Sequence, residues 1–147
     1  MKKIIVDLLG ADHAEEELLD GALAALADDA SLSLILVGSE ALSAKDLAAR
    51  GADLSRVEIL TATDAITGED SPVAVARGRE GSSMAIAFSA LKNREDATAL
   101  VSAGNTGAML VASLYRLGLL HGVRRPALAT ALLTPGGEHV CLLDCGA

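Results

Sequence analysis

The sequence predicts an α/β fold, with a mostly parallel sheet covered by helices on both faces. Three observations carry this. Short apolar runs alternate with longer stretches whose apolar residues recur at helical spacing. The short runs are almost continuously apolar, as strands buried on both faces are. Hydrophobic residues make up 51% of the 147 positions, mostly Ala, Leu and Val, which supplies one substantial core and one ordinary domain.

Each element follows from its local pattern. "KIIVDLL" is a β-rich run ending at Gly10 and predicts the first strand. "AEEELLDGALAALADD" has acidic residues in its first turn and Leu18, Leu19, Ala22, Leu23 and Leu26 on one helical face. "LSLILVG" predicts a second strand, and "SEALSAKDLAARG" a helix capped by Ser39 and closed by Gly51. "RVEIL" predicts a third strand, and "TATDAITGEDSP" a loop. "PVAVARGREGSSMAIAFSALKN" is a helix interrupted around Gly78 to Gly81 and restarted at Ser82 or Ser83. "TALVS" is a fourth strand, and "TGAMLVASLYRLGLL" its helix. "ALATALL" and "HVCLLDC" are two further strands, and the turn signal "TPGGE" between them predicts an antiparallel hairpin. The chain stops directly after that apolar strand, where α/β sheets carry their functional loops. Residues 1–147 are therefore expected to be a single α/β domain within a longer fold.

Composition narrows the partners. The net charge of −8 opposes a phosphate-backbone partner, and one Phe, one Tyr and no Trp leave no stacking platform for bases. No nucleic acid is expected. No apolar run approaches the roughly 18 residues of a membrane span, and the apolar run after Met1 stops at Asp7, too early for a signal peptide. Cys141 and Cys145 fall in one predicted strand, about 13 Å apart at the usual rise, too far for a disulfide. Reduced thiols and a cytoplasmic location are expected. A zinc half-site would need a second pair, which the sequence lacks.

Three motifs bear chemistry. The strongest is "SAGNTGA", which joins a strand end to a helix start. Gly104 and Gly107 allow close backbone approach, and successive N–H groups at a helix N-terminus form an anion site to which Ser102, Asn105 and Thr106 add polar side chains. Residues 97–137 hold no Asp or Glu, so an anion meets little repulsion there. No P-loop lysine follows, which argues against a nucleoside triphosphate. The alternative is a ligand-free turn with Thr106 as helix cap. The second motif, "VDLLGADHA", gathers Asp7, Asp12 and His13 at the first strand end. These could orient substrate or move a proton; equally, Asp12 could cap the first helix with His13 exposed. The third, "ARGREGSSMA", concentrates Arg77, Arg79, Ser82 and Ser83, either an anion grip or a salt-bridged helix break.

Together these motifs resemble one family, the PlsX-type phosphate acyltransferases of bacterial phospholipid synthesis. "IIVDLLGADHA" looks like that family's opening Asp-Ala-Met-Gly-Gly-Asp-His-Ala. "GREGSSMAIAFSALK" resembles its Ser-Ser-Met helix, and "LVSAGNTGAML", with "RPALAT" and "LLDCGA" downstream, is similar to its Val-Ser-Ala-Gly-Asn-Thr-Gly-Ala signature. The match runs over the whole chain and is to the family's N-terminal half. It implies a three-layer α/β/α sandwich of the isocitrate and isopropylmalate dehydrogenase type, with no nicotinamide and no other cofactor or metal. It implies transfer of an acyl chain from acyl carrier protein to inorganic phosphate, in a cytoplasmic, membrane-associated homodimer. Carried onto this chain, Asp12, His13 and Asn105 are the expected catalytic residues. Ser102, Gly104, Asn105, Thr106, Gly107, Arg77, Arg79, Ser82 and Ser83 are expected to bind phosphate and substrate. Gly10-Ala11 stands where the family has two glycines, and Leu8-Leu9 where it has Ala-Met. Two other readings compete: a non-catalytic module that binds phosphate or carrier protein, and a metal-dependent hydrolase built on Asp7, Asp12 and His13.

Overall fold

In a computed structural model, which describes residues 3–73 and 78–143, four parallel strands form the central sheet. They are β1 (Lys3–Asp7), β2 (Leu34–Gly38), β3 (Val57–Thr61) and β4 (Ala97–Ser102), in the order β3-β2-β1-β4. All five residues of β2 are buried, which explains its continuously apolar sequence. In β1 alternate side chains part to the two faces. Ile4 and Val6 join Leu34, Leu36 and Ile59 beneath α1 (Glu15–Asp28) and α2 (Ala44–Ala49). Ile5 joins Ile35 and Val37 beneath α3 (Ser83–Asn93). The second face is completed by α4 (Thr106–Ala112), which packs Ala108 and Ala112 on Met84 and Phe88 of α3. A π-turn over Ser113–Leu117 prolongs α4 and ends at Gly118, φ 86°.

The three-layer arrangement and the parallel sheet match the expectation. Strand–helix–strand connections bring every strand's carboxyl end to the same edge, which is where α/β folds place their sites. The last two strands, β5 (Ala129–Leu133) and β6 (His139–Leu143), pair antiparallel around the 134–138 turn, as "TPGGE" predicts. This hairpin is exposed throughout and stands apart from the main sheet. Cys141 is free and exposed; Cys145 lies outside the described residues.

Helix caps depart from expectation at both of the first two helices. The second helix starts at Ala44, not after Ser39, and Ser43 caps it by accepting from Asp46 N. Ser39 is taken up elsewhere: its N–H and hydroxyl both donate to Glu15, at 2.7 and 2.6 Å. The first helix takes Ala14 as its N-cap, with no side-chain cap, so Asp12 does not serve it. Three consecutive glutamates in the first turn stabilise that end electrostatically. The restart at Ser82 holds: its hydroxyl accepts from Ala85 N and donates to the Arg79 carbonyl.

At the amino end of the sheet, Glu58 on β3 is held by Arg94 and by Lys3 of β1, and Asp96 takes the remaining arms of both cations. The Arg94 guanidinium, then Lys3, pull the Glu58 carboxyl down to about 2. This network ties β1, β3 and the turn before β4 together at the end opposite the site.

Candidate functional site

Three loops converge past the carboxyl ends of β1, β3 and β4. They enclose a depression of about 380 Å³ lined by Gly10, Asp12, Gly68, Ala103, Gly104, Asn105, Thr106 and Gly107. Four of the eight lining residues are glycines, which contribute only backbone to the wall. The turn after β4 is shaped by two side chains. Ser102 Oγ donates to Asp7 Oδ2 at 3.0 Å and accepts from Gly104 N at 3.1 Å, which folds the chain back on itself. Asn105 then caps α4: its Oδ1 accepts from Ala108 N at 2.9 Å. Its Nδ2 donates to the carbonyls of Thr67 and Asp70, at 3.0 and 3.3 Å, and so ties in the loop after β3. The cap is therefore Asn105, not Thr106. The N–H groups of Thr106 and Gly107 lie in the first turn of α4, where no intrahelical acceptor exists. Both residues face the depression.

Close approach explains Gly10 and Gly107. Gly10 has φ 77°, and a Cβ there would sit well inside 3.0 Å of the Ile66 carbonyl oxygen. A Cβ on Gly107 would come 2.9 Å from Pro72 Cγ, and one on Gly104 would come 3.5 Å from the Gly10 carbonyl. The first and third loops thus touch through glycine, and the loop after β3 is wedged between them. The left-handed angle falls on Gly10, the family glycine that this sequence keeps.

Behind the depression stands Asp7, 2% exposed at the end of β1. Burial pushes its carboxyl above the usual range, while the hydroxyls of Ser83 and Ser102 and the Leu9 N–H oppose that. Leu9 N and Ser102 Oγ make the geometrically sound bonds, at 3.1 and 3.0 Å. Ser83 Oγ is buried and meets hydrogen-bond geometry with no partner.

The structure brings Asp12, Gly104, Asn105, Thr106 and Gly107 together around one space, with Ser102 directly behind. It does not bring in His13, which is exposed just before α1 and lies 3.1 Å from Glu17 Oε2 in that helix's first turn. Ser82 and Ser83 sit at the buried start of α3 rather than on the lining. Arg79 is engaged by Asp64, Asp70 and the Ala65 carbonyl. Arg77 lies outside the described residues. Among the described residues, no group of three or more His, Cys, Asp or Glu side chains is placed to hold a metal ion. No helix there is long and apolar enough to cross a membrane. Sequence reasoning missed Gly68, in a segment read only as loop. Its signal is the "TGED" turn, where Asp70 accepts from both the N–H and the hydroxyl of Thr67.

Comparison with known proteins bears on this geometry. Residues 2–147 match the family described as "Fatty acid synthesis protein". The chain belongs to that family. It is 40% identical over 147 residues to a phosphate acyltransferase of Exiguobacterium sp., covering 99% of this chain and 43% of that one. It is 37% identical over 145 residues to the phosphate acyltransferase of Listeria innocua, covering 99% and 42%. The chain thus spans less than half the length of these relatives. Among solved structures it is similar to the EutD phosphotransacetylase from Staphylococcus aureus, with a TM-score of 0.61 at 19% identity, covering 99% of this chain and 47% of that one. At that identity the likeness speaks for the fold alone.

Proposed function

We propose that this chain holds inorganic phosphate for attack on an acyl thioester carried by acyl carrier protein, giving acyl phosphate for phospholipid synthesis. The observation that carries the reading is the glycine-lined depression bordered by the first turn of α4, whose N–H groups have no internal acceptor. Asp12 is the one carboxylate on its lining. A monoprotonated phosphate can donate its O–H to Asp12 while its other oxygens accept from the Thr106 and Gly107 N–H groups. Held so, one phosphate oxygen attacks the thioester carbonyl carbon, the C–S bond breaks, and the proton passes by way of Asp12 to the departing thiolate. Phosphate is a weak nucleophile, so orientation supplies much of the rate. Asn105 serves by fixing the turn. His13 lies off the lining, exposed beside Glu17, and takes no part in this step. The cytoplasmic, membrane-associated homodimer rests on the family resemblance.

The test replaces the matching segment of a full-length relative with residues 1–147 and assays acyl-phosphate formation from acyl carrier protein thioester and phosphate. The chimera should be active, and Gly107→Ala in it should raise KM for phosphate. Activity with an unchanged phosphate dependence in that variant removes this reading of the loop. The alternative is a module that binds phosphate or carrier protein without turnover. That reading predicts that phosphate stabilises the chain against heat while the chimera makes no acyl phosphate.

A further inference from the structure

We infer that Arg79 is a positioning residue that locks the 64–70 loop as a wall of the depression; its effect on phosphate rests on the function proposed above. An arginine close to a glycine-rich site invites the reading that it grips the anion. The bonding says otherwise. Nε donates to Asp64 at 2.6 Å, Nη1 to Asp70 at 2.8 Å, and Nη2 to both Asp64 and the Ala65 carbonyl, the latter at 2.7 Å. Four of its five N–H donors are thereby spent on one loop.

That loop is fixed at both ends by different forces. Ile66 is buried against Met84, Phe88 and Ala108, and its carbonyl lies against Gly10. Packing therefore fixes the loop at Ile66. Residues 67–70 are exposed or half-buried and are held by polar bonds. Asp70 Oδ2 closes the turn on Thr67, Asp70 Oδ1 is held by Arg79, and the Thr67 and Asp70 carbonyls receive Asn105 Nδ2. Gly68, inside that turn, lines the depression. Arg79 and Asn105 thus both hold Asp70, one by its carboxylate and the other by its carbonyl. Removing the guanidinium also leaves the Asp64 and Asp70 carboxylates without the cation that bridges them, so the loop loses its tie between residues 64 and 70. Lysine is a point charge and cannot reproduce the fork that reaches both carboxylates and a carbonyl.

The experiment compares Arg79→Gln and Arg79→Lys with Arg94→Gln in the intact chain. Arg94 is the control because it also bridges two carboxylates, Glu58 and Asp96, but at the far end of the sheet. Two readouts are taken: amide hydrogen exchange of residues 67–70 and Ala108 without ligand, and inorganic phosphate affinity by calorimetry. Arg79→Gln should speed exchange in 67–70 and weaken phosphate binding by about tenfold each, with Arg79→Lys between it and the parent. Arg94→Gln should lower overall stability and move neither readout selectively. Exchange in 67–70 that Arg79→Gln leaves unchanged, or that Arg94→Gln raises equally, overturns the inference. If the parent chain takes no phosphate, the function proposed above fails, and the exchange data still decide the role of Arg79.

Discussion

Replacing Gly10 by Ala probes the contact on which the depression depends. Two costs add. A non-glycine residue at φ 77° sits in the left-handed region, which costs about 1–2 kcal/mol. The new Cβ would also overlap the Ile66 carbonyl, whose carbon lies 3.3 Å from it. That carbonyl cannot swing away freely, because the Ile66 side chain is buried between α3 and α4. Relieving the overlap costs a further ~1–2 kcal/mol as overpacking. The sum is about 2–4 kcal/mol, or a fall in melting temperature of roughly 6–12 °C for a domain of this size. Differential scanning calorimetry measures it directly. Gly21→Ala is the companion variant: that glycine lies within α1 with nothing within 4 Å of a new Cβ, so it should gain about 0.5–1 kcal/mol. A Gly10→Ala protein that melts within 2 °C of the parent, where roughly 6 °C or more is expected, would refute the claim that the first loop and the 64–70 loop meet at that carbonyl.

Two further perturbations separate stability from binding. Asn105→Asp keeps an acceptor for the Ala108 N–H but loses the two donors to Thr67 and Asp70, whereas Asn105→Ala loses both functions. Thermal melts should rank Ala below Asp below the parent, the lost cap alone costing about 1 kcal/mol, and neither variant should gain stability from added phosphate. Glu58 carries the acid response. Its folded pKa of about 2 lies below the model-peptide value of 4.5, so its contribution is full above pH 4.5 and is lost as pH falls toward 2. Acid melts of Glu58→Gln should be flatter than the parent's across that window. Asp7 works in the other direction, since its raised pKa makes its ionisation unfavourable in the fold as pH rises.

The alternation of strands and helices, the parallel sheet, the hairpin at "TPGGE" and the glycine turn after β4 were all legible along the chain, because each depends on neighbours a few residues apart. The helix restart at Ser82 was legible for the same reason. Caps were less so: Ser39 and Ser43 suit the role equally, and what removed Ser39 was Glu15, 24 residues earlier. Chemistry at a distance was not legible at all. "TALVS" has the composition of a central strand, yet β4 ends the sheet and leaves Val101 exposed. The bond between Asp7 and Ser102 joins residues 95 apart. Arg79 is the sharpest case. A guanidinium binds an anion and a carboxylate by the same fork, so its sequence cannot say which it meets. The sequence by itself determined that this protein offers a glycine turn at the carboxyl edge of a parallel sheet. Only the tertiary structure decided what braces that turn, because Asp7 bonds Ser102, and the Thr67 and Asp70 carbonyls bond Asn105, across contacts the linear order does not contain.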